Sequence, residues 1–269
     1  MGLFDGVLLC SDWDGSLTVP GAPKERIVCD ENRKAIAYFE ENGGLFTVAS
    51  GRYPDYILSF SDQIVPNTAL ISLNGAKIVD PKSGVSLRES TTDESVYPLI
   101  DKILARFPHE ATFLHYPVKT PHAERYTRKE YAAAKNALAK SPAYKVLLVT
   151  DTPEHGLLLR DLAREIVASS DYDAARSWPI GLEFIRREGN KGNKGSAVRW
   201  LKRETGADLL VTVGDFENDI PMLKAADLSF AVAGAESEVK GAASRVTTRT
   251  SGEGAVAEII GIIEEIRRK

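Results

Sequence analysis

The sequence predicts an α/β protein with a doubly wound (Rossmann-like) parallel-sheet core that is interrupted by an inserted α+β domain. Short apolar runs alternate with stretches of helical periodicity, as in "VLLCSD" followed by "ENRKAIAYFEENG". Continuously apolar strands between helices are typical of a parallel sheet that is covered on both faces. The length of 269 residues favours two unequal domains over one hydrophobic core.

The first part of the chain predicts strands and helices in alternation. After "VLLCS" comes a helix in which Ile36 and Phe39 follow helical spacing and Gly43 suits the helix end. "LFTVAS" is predicted to be a strand and is followed by a helix from about Pro54. "ALISL" is the next predicted strand and ends in Asn74-Gly75.

The last part of the chain continues the same alternation. "KGSAVRWLKRETG" predicts a helix, "DLLVTVGD" a strand, "NDIPMLKAA" a helix and "LSFAV" a strand. The final "GEGAVAEIIGIIEEIRRK" predicts a helix with basic residues in its last turn, where the helix dipole favours positive charge. We therefore assign residues 1–81 and 188–269 to one core domain.

Residues 82–187 predict an inserted domain of mixed helices and strands. Helical patterns occur in "DESVYPLIDKILARF", "TRKEYAAAKNALAK" and "PEHGLLLRDLAREIVAS". Extended segments are predicted for "EATFLHY", "YKVLLVTD" and "GLEFIRR". The turn-rich segments "DPKSG" and "EGNKGNKG" border this insert.

Composition and charge narrow the classes of function. The apolar fraction of 43% and the charged fraction of 27% are ordinary for a soluble protein. The net charge of -4 gives no reason to expect a nucleic acid or a membrane as a partner. Two cysteines and no predicted signal peptide or membrane span indicate a cytoplasmic protein. We expect a monomer or a weak dimer.

Polar residues follow the predicted core strands at the point where each strand ends. Ligands of an open parallel sheet lie outside the carboxyl ends of its strands, so these residues are expected to meet at one edge. They are Asp12 and Asp14, Ser50-Gly51-Arg52, Asn74-Gly75, and Asp215 with Asn218 and Asp219, joined by Lys194 at the start of a helix.

These residue types predict phosphoryl chemistry. Clustered carboxylates are typical of a Mg²⁺ site that leaves positions for water and phosphate. Backbone amides of a glycine-containing loop, a hydroxyl and a lysine suit phosphoryl oxygens. One aspartate can attack the phosphorus atom and form an aspartyl-phosphate. A second can protonate the leaving alcohol and then take a proton from water.

Four motifs, in this order, resemble those of the haloacid dehalogenase-like phosphatases: "DWDGSL", "VASGR", Lys194 in "GNKG", and "GDFENDI". The long insert, together with "NGA" at 74–76, resembles the Cof-type subgroup with a type IIB cap. The ending "SRVTTRTSGEGAVAEII" is also similar to that subgroup. The resemblance spans the core and implies that residues 82–187 form a cap that selects the substrate and closes over the site.

The resemblance implies catalytic roles for four side chains. Asp12 would be the nucleophile and a metal ligand. Asp14 would be the general acid and base, with its backbone carbonyl also on the metal. Ser50 and Lys194 would bind the phosphoryl group together with Gly51.

The resemblance also implies metal and substrate roles. Asp215 would complete the metal ligands, and Asp219 would support the metal shell through water, so that the predicted metal set is Asp12, Asp14, Asp215 and Asp219. The predicted substrate-binding set is Trp13, Gly51, Arg52, Asn74 and Asn218. Ser16 and Ser50 stand where the family usually has threonine, and Trp13 is bulkier than usual at the substrate entrance.

We therefore predict a Mg²⁺-dependent phosphatase of small phosphorylated metabolites, with sugar phosphates as the first candidates for the substrate. Two alternatives stay open. One is a phosphotransferase, such as a phosphohexomutase, that passes the same aspartyl-phosphate to a sugar. The other is a non-catalytic sensor of sugar phosphates. A P-loop is excluded because Lys194 occupies the position of the second glycine in "GNKGNKGS". A further hypothesis is that Arg125, Arg128 or Lys129 binds an anionic part of the substrate.

Overall fold

A computed structural model describes residues 2–19, 27–186 and 193–269. The chain forms two compact units. The first comprises the residues up to Arg88 together with Lys194–Lys269, and the second comprises Glu89–Asn193. The predicted boundary at residues 187 and 188 lies outside the described residues.

Strands and helices of the first unit are numbered along the whole chain. Its strands are β1 (Val7–Ser11), β2 (Leu45–Val48), β3 (Leu70–Ser72), β4 (Lys77–Val79), β5 (Ser86–Glu89), β11 (Leu209–Gly214), β12 (Leu228–Ala231) and β13 (Arg245–Val246). The last residue of β5, Glu89, is the first residue of the second unit. Its helices are α1 (Asp30–Glu41), α2 (Pro54–Leu58), α6 (Lys194–Thr205), α7 (Ile220–Ala225), α8 (Ser237–Ala242) and α9 (Ala255–Arg267).

The core of this unit is a parallel sheet with strand order β13-β12-β11-β1-β2. All five residues of β1 are buried, and the first four alternate between two hydrophobic clusters. Val7 and Leu9 belong to the cluster that includes residues of α1 and α9. Leu8 and Cys10 belong to the cluster that includes residues of α6 and α7. Helices therefore cover both faces, and the predicted doubly wound α/β fold is confirmed.

The strand order explains where a ligand can bind. From β1 the chain places β2 on one side, whereas β11, which comes much later in the sequence, lies on the other side of β1. The direction of winding therefore reverses between β1 and β11, and the carboxyl ends of these two strands border the crevice that open α/β sheets use for ligands. The segments Asp12–Asp14 and Asp215–Asp219 follow these two strand ends directly.

The third predicted core strand is integrated differently from β1 and β2. β3 contacts the parallel sheet through one bridge between Ala49 and Ile71, and it pairs antiparallel with β4. The turn between β3 and β4 contains Leu73, Asn74 and Gly75, with φ angles of 50°, 56° and 93°. Asn-Gly favours this left-handed backbone, as expected for a tight connection between antiparallel strands.

The second unit has its own sheet and core. Its strands are β6 (Thr112–Pro117), β7 (Glu124–Tyr126), β8 (Ala143–Val149), β9 (Tyr172–Trp178) and β10 (Gly181–Arg186), and its helices are α3 (Val96–Arg106), α4 (Arg128–Leu138) and α5 (Pro153–Val167). The strand order is β7-β6-β8-β10-β9, with antiparallel neighbours. Residues of all three helices share one hydrophobic cluster with the sheet. This α+β unit matches the predicted elements and adds β7 and β9, which the sequence did not indicate.

Arg128 has a structural contact that the sequence hypothesis did not foresee. Its guanidinium donates to the carbonyl oxygen of Phe107 at 3.1 Å and to that of Leu104. These carbonyls belong to the end of α3, where a cation stabilises the helix dipole. Among the described residues, no helix is both long enough and apolar enough to cross a membrane.

Candidate active site

The loop after β1 presents two aspartates in different surroundings. The backbone N–H of Asp12 donates to the carbonyl of Val213 at 2.9 Å, which ties this loop to β11. The loop closes through the N–H and the hydroxyl of Thr18, which both donate to the carbonyl of Trp13 at 2.9 and 2.7 Å. Gly15 has φ +92°, and a Cβ at that position would lie 2.4 Å from Oδ2 of Asp215. Glycine is therefore required where the two loops approach each other.

Lys194 joins the loops at the centre of the site. Its Nζ donates to Oδ1 of Asp12 at 2.5 Å and to Oδ1 of Asp219 at 2.6 Å. The side chains of Lys194 and Asp219 are fully buried, and that of Asp12 is 9% exposed. Because buried charges persist only when they are paired, these contacts fix the three side chains as one unit. The residues of the first, third and fourth predicted motifs therefore meet.

The loop after β11 is shaped by Asp219. Its Oδ2 accepts the backbone N–H groups of Asp215 at 2.9 Å and Phe216 at 3.1 Å. Asp215 in turn accepts a hydrogen bond from the Ser16 hydroxyl at 2.8 Å on Oδ1. Asp219 thus holds both Lys194 and the loop that carries Asp215.

Burial and the closeness of several carboxylates shift the pKa values of the titratable groups in this cluster. Burial, and then the charge of Asp219, raise the pKa of Asp12 well above its ordinary range, against the lowering effect of Lys194. Burial and Asp219 raise the pKa of Asp215 to about 7, although the Ser16 hydrogen bond lowers it. Burial alone would lower the pKa of Lys194, but Asp12 and Asp219 outweigh it and raise that pKa. One lysine therefore does not neutralise the cluster.

A divalent cation fits this charge imbalance. Oxygen atoms of Asp12, Asp215 and Asp219 all lie within 4.8 Å of one another. Carboxylate oxygens are the ligands that Mg²⁺ prefers, and a nearby positive charge would return both raised pKa values towards their usual range. The carboxylate of Asp14 contributes to an ion pair with Arg52 instead of to this cluster, so a metal role for Asp14 through its backbone carbonyl stays a prediction.

The predicted phosphoryl-binding loop after β2 is anchored to the β3–β4 turn. The N–H of Ser50 donates to the carbonyl of Ile71, and the N–H of Asn74 donates to the carbonyl of Ser50, both at 2.9 Å. The side-chain amide of Asn218 donates to Oδ1 of Asn74 at 3.3 Å. The loops after β2, β3 and β11 are thereby connected, with Gly51 directly after the anchored Ser50.

Asp14 and Trp13 occupy different environments. Asp14 accepts a hydrogen bond from Nε of Arg52 at 2.9 Å, and both side chains are partly exposed. Trp13 is fully buried in the hydrophobic core, and its ring lies 5.4 Å from that of Phe60. A buried ring of this kind supports the loop from the core side, so the predicted place of Trp13 at the substrate entrance stays without support.

Two residues that contact the site were not assigned a role from the sequence. Ser16 donates to Asp215, although it was noted only as a variation within the first motif. Tyr56 lies beneath the Arg52 guanidinium at 4.9 Å. The sequence carries no signal for this contact, because Arg52 precedes α2 (Pro54–Leu58) and the four-residue spacing of helical neighbours does not apply to it.

Comparison with known proteins identifies the family. Residues 9–260 match the family model described as haloacid dehalogenase-like hydrolase. The chain therefore belongs to the haloacid dehalogenase-like hydrolases and is an enzyme of the phosphatase type. The resemblance of its four motifs to this family is confirmed.

Curated relatives carry phosphatase names. The chain is 23% identical over 261 residues to a 5-amino-6-(5-phospho-D-ribitylamino)uracil phosphatase of Bacillus subtilis, a match that covers 94% of both chains. It is 45% identical over 69 residues to a phosphoglycolate phosphatase of Methanosarcina acetivorans, a match that spans 30% of that relative and 25% of this chain.

Solved structures share the whole fold. A haloacid dehalogenase-like hydrolase from B. subtilis has a TM-score of 0.72 at 21% identity, with 94% of this chain and 98% of that chain covered. The subclass IIB sugar phosphatase BT4131 has a TM-score of 0.71 at 16% identity, with 95% and 98% covered. At these identities the likeness concerns the fold.

Proposed function

We propose that the protein is a Mg²⁺-dependent phosphatase that hydrolyses small phosphorylated metabolites, sugar phosphates first, through an aspartyl-phosphate on Asp12. The observation that carries the proposal is the buried contact of Lys194 with Asp12 and Asp219, beside Asp215. A nucleophilic carboxylate next to a fixed ammonium group and a potential cation site suits attack on an anionic phosphoryl group.

The first step transfers the phosphoryl group to Asp12. A carboxylate oxygen of Asp12 forms a bond to phosphorus while the bond from phosphorus to the ester oxygen breaks. Asp14 gives its proton to the departing ester oxygen, so that a neutral alcohol leaves. Lys194 holds Asp12 in position through the 2.5 Å contact and places positive charge beside the phosphoryl oxygens.

The second step releases phosphate. Asp14, now ionised, takes a proton from a water molecule whose oxygen bonds to phosphorus, and the bond between Asp12 and phosphorus breaks. Ser50, Gly51 and Asn218 would hold the phosphoryl oxygens during both steps. Bound Mg²⁺, held by Asp12 and Asp215 with support from Asp219, would supply positive charge to the phosphoryl oxygens.

The substrate class draws its support from the relatives. One full-length relative is named for a phosphorylated ribityl compound, and a structural neighbour is named a sugar phosphatase. We propose that the second unit, which is inserted between the two parts of the first, is the cap that selects among such substrates. Cytoplasmic location and a monomeric or weakly dimeric state remain predictions.

A metabolite screen with a nucleophile variant tests the proposal. Purified protein is assayed for phosphate release from a panel of phosphorylated metabolites, with Mg²⁺ and with a chelator. Asp12→Asn is expected to abolish turnover, whereas Asp62→Asn, which changes an exposed aspartate of the same unit, retains it. Equal rates for wild type and Asp12→Asn would favour a non-catalytic sensor. Turnover only with an added sugar bisphosphate would favour a phosphotransferase.

Metal binding has a readout that does not depend on activity. Mg²⁺ at 100 times its dissociation constant should stabilise the folded protein by about 2.7 kcal/mol, because it binds only the folded cluster. Asp215→Asn should remove most of that stabilisation in a thermal unfolding experiment. The same Mg²⁺ effect in Asp215→Asn and wild type would place the ion elsewhere.

A further inference from the structure

We propose that Arg52 is a positioning residue that orients the Asp14 carboxyl group for proton transfer, and that the Tyr56 ring fixes the Arg52 guanidinium for this purpose. The inference rests on the proposed function, because it concerns the proton that Asp14 gives to the leaving group. It assigns Arg52 to Asp14, whereas the sequence resemblance implied that Arg52 binds the substrate.

The contacts of the Arg52 side chain support this assignment. Its Nε donates to Oδ2 of Asp14 at 2.9 Å. Its guanidinium carbon lies 4.9 Å from the centroid of the Tyr56 ring. A guanidinium that lies over an aromatic face while its Nε donates to a carboxylate has a restricted orientation, and a lysine could not reproduce both contacts.

The backbone of Arg52 is fixed as well. Its N–H donates to the hydroxyl of Ser50 at 3.1 Å, and its carbonyl accepts the N–H of Leu73 at 3.0 Å. Both partners belong to loops that surround the site. The guanidinium therefore extends from an anchored point, so that its position relative to Asp14 is set by the fold.

An aromatic series connects the Tyr56 ring to the loop that carries Asp14. The ring of Tyr56 lies 5.4 Å from that of Phe60, and the ring of Phe60 lies 5.4 Å from that of Trp13. Trp13 directly precedes Asp14 and is fully buried. The guanidinium and the Asp14 backbone thus rest on the same packed rings, which limits their relative movement.

The ion pair of Arg52 and Asp14 is better suited to orienting the carboxyl group than to stabilising the fold. The side chains of Arg52 and Asp14 are 42% and 32% exposed, and ion pairs at such positions contribute little to folding. A catalytic carboxyl must nevertheless point at the ester oxygen within hydrogen-bond reach. The hydrogen bond at Oδ2 limits rotation of the carboxyl group and so helps to orient the proton that it transfers.

Two esters of nearly the same shape test the inference. Phenyl phosphate requires a proton on its leaving oxygen more strongly than p-nitrophenyl phosphate does. The value of kcat/KM reports the steps up to transfer of the phosphoryl group to Asp12, where Asp14 acts as an acid. Arg52→Met is expected to lower kcat/KM for phenyl phosphate by about 10- to 100-fold and for p-nitrophenyl phosphate by less than about 3-fold.

Further variants separate orientation from a general structural effect. Tyr56→Leu should show the same selective loss as Arg52→Met, and Tyr56→Phe, which keeps the ring, should recover the phenyl phosphate activity. Arg52→Lys should resemble Arg52→Met. Arg88→Met is the matched control, because Arg88 also lies over a ring, that of Trp200, at 5.7 Å in the same unit. It should leave both rates unchanged.

The outcomes are distinguishable from failure of the proposed function. Equal losses for both esters in Arg52→Met would overturn the inference in favour of substrate binding, and no loss for either would show that the pair is not used. Equal losses in Tyr56→Phe and Tyr56→Leu would overturn the role of the ring. If wild type hydrolysed neither ester, or if Asp12→Asn hydrolysed both, the proposed function itself would fail.

Discussion

Replacement of Lys194 by methionine tests whether burial gives the central ion pairs their strength. Lys194 contacts Asp12 and Asp219 at 2.5 and 2.6 Å, and its side chain has no exposed surface. Methionine keeps a similar volume but leaves two buried carboxylates without their cation. We expect the free energy of unfolding of the first unit to fall by about 3–5 kcal/mol at neutral pH without added Mg²⁺.

The same helix offers a matched control. Lys202, eight residues later in α6, contacts Asp227 at the same distance of 2.6 Å. The side chains of this second pair are 28% and 44% exposed. Solvent screens such a pair, so Lys202→Met should cost less than about 1 kcal/mol. The two substitutions differ in the burial of the contact that they remove, and Lys194→Met also removes two ion pairs where Lys202→Met removes one.

Urea unfolding followed by tryptophan fluorescence measures both effects. The chain has three tryptophans, and Trp13 and Trp200 lie in the first unit. In a Trp178→Phe background the signal therefore reports that unit alone, which avoids mixing two unfolding transitions. Equal losses of unfolding free energy in Lys194→Met and Lys202→Met would refute the reasoning that burial sets the strength of these pairs.

Three further predictions concern a glycine, the half-buried Glu40 and the buried His115. Gly15→Ala should reduce both activity and stability, since the new Cβ would meet the Asp215 carboxylate at 2.4 Å; an enzyme assay with wild-type values would contradict this. Burial raises the pKa of Glu40 from 4.5 to about 7, so the contribution of Glu40 to stability should decline by about 1–3 kcal/mol as pH rises from 4.5 to 7, and comparison of wild type with Glu40→Gln in pH-dependent urea unfolding should isolate this decline. Burial lowers the pKa of His115 below its ordinary value of 6.5, against the effect of Glu124, so the contribution of His115 to stability should fall as pH decreases below 6.5, and comparison of wild type with His115→Phe should isolate this fall.

Most of the fold prediction came from the periodicity of apolar residues and from the polar residues at the ends of the strands. Each long predicted helix is present, and the helix with Ile36 and Phe39 in its core-facing positions begins at Asp30 and ends at Glu41. Two strands were not predicted, β7 because it has only three residues and β9 because its seven residues alternate only weakly, and such segments give little signal. The antiparallel pairing of β3 with β4 was not predicted either, although Asn74-Gly75 is a hairpin signal, because "ALISL" was interpreted as a strand of the parallel core.

The site shows the same division between local and tertiary information. The motifs identified the residues, and the structure brings Asp12, Lys194, Asp215 and Asp219 together as expected. The partner of Arg52 could not be predicted, because Asp14 is 38 residues away and any anion nearby would satisfy a guanidinium. Trp13 was expected at an entrance from its size, but its packing against Phe60 depends on how α2 meets the sheet.

By itself the sequence determined the alternation of strands and helices, the family and the chemical types gathered at the strand ends, because these depend on local order along the chain. The tertiary structure alone decided how deeply each charge is buried and which opposite charge lies beside it. That burial makes the difference between Lys194 and Lys202, which sequence spacing cannot distinguish. The attraction between two opposite charges is strong only where water is excluded, and water is excluded only when distant segments of the chain pack together.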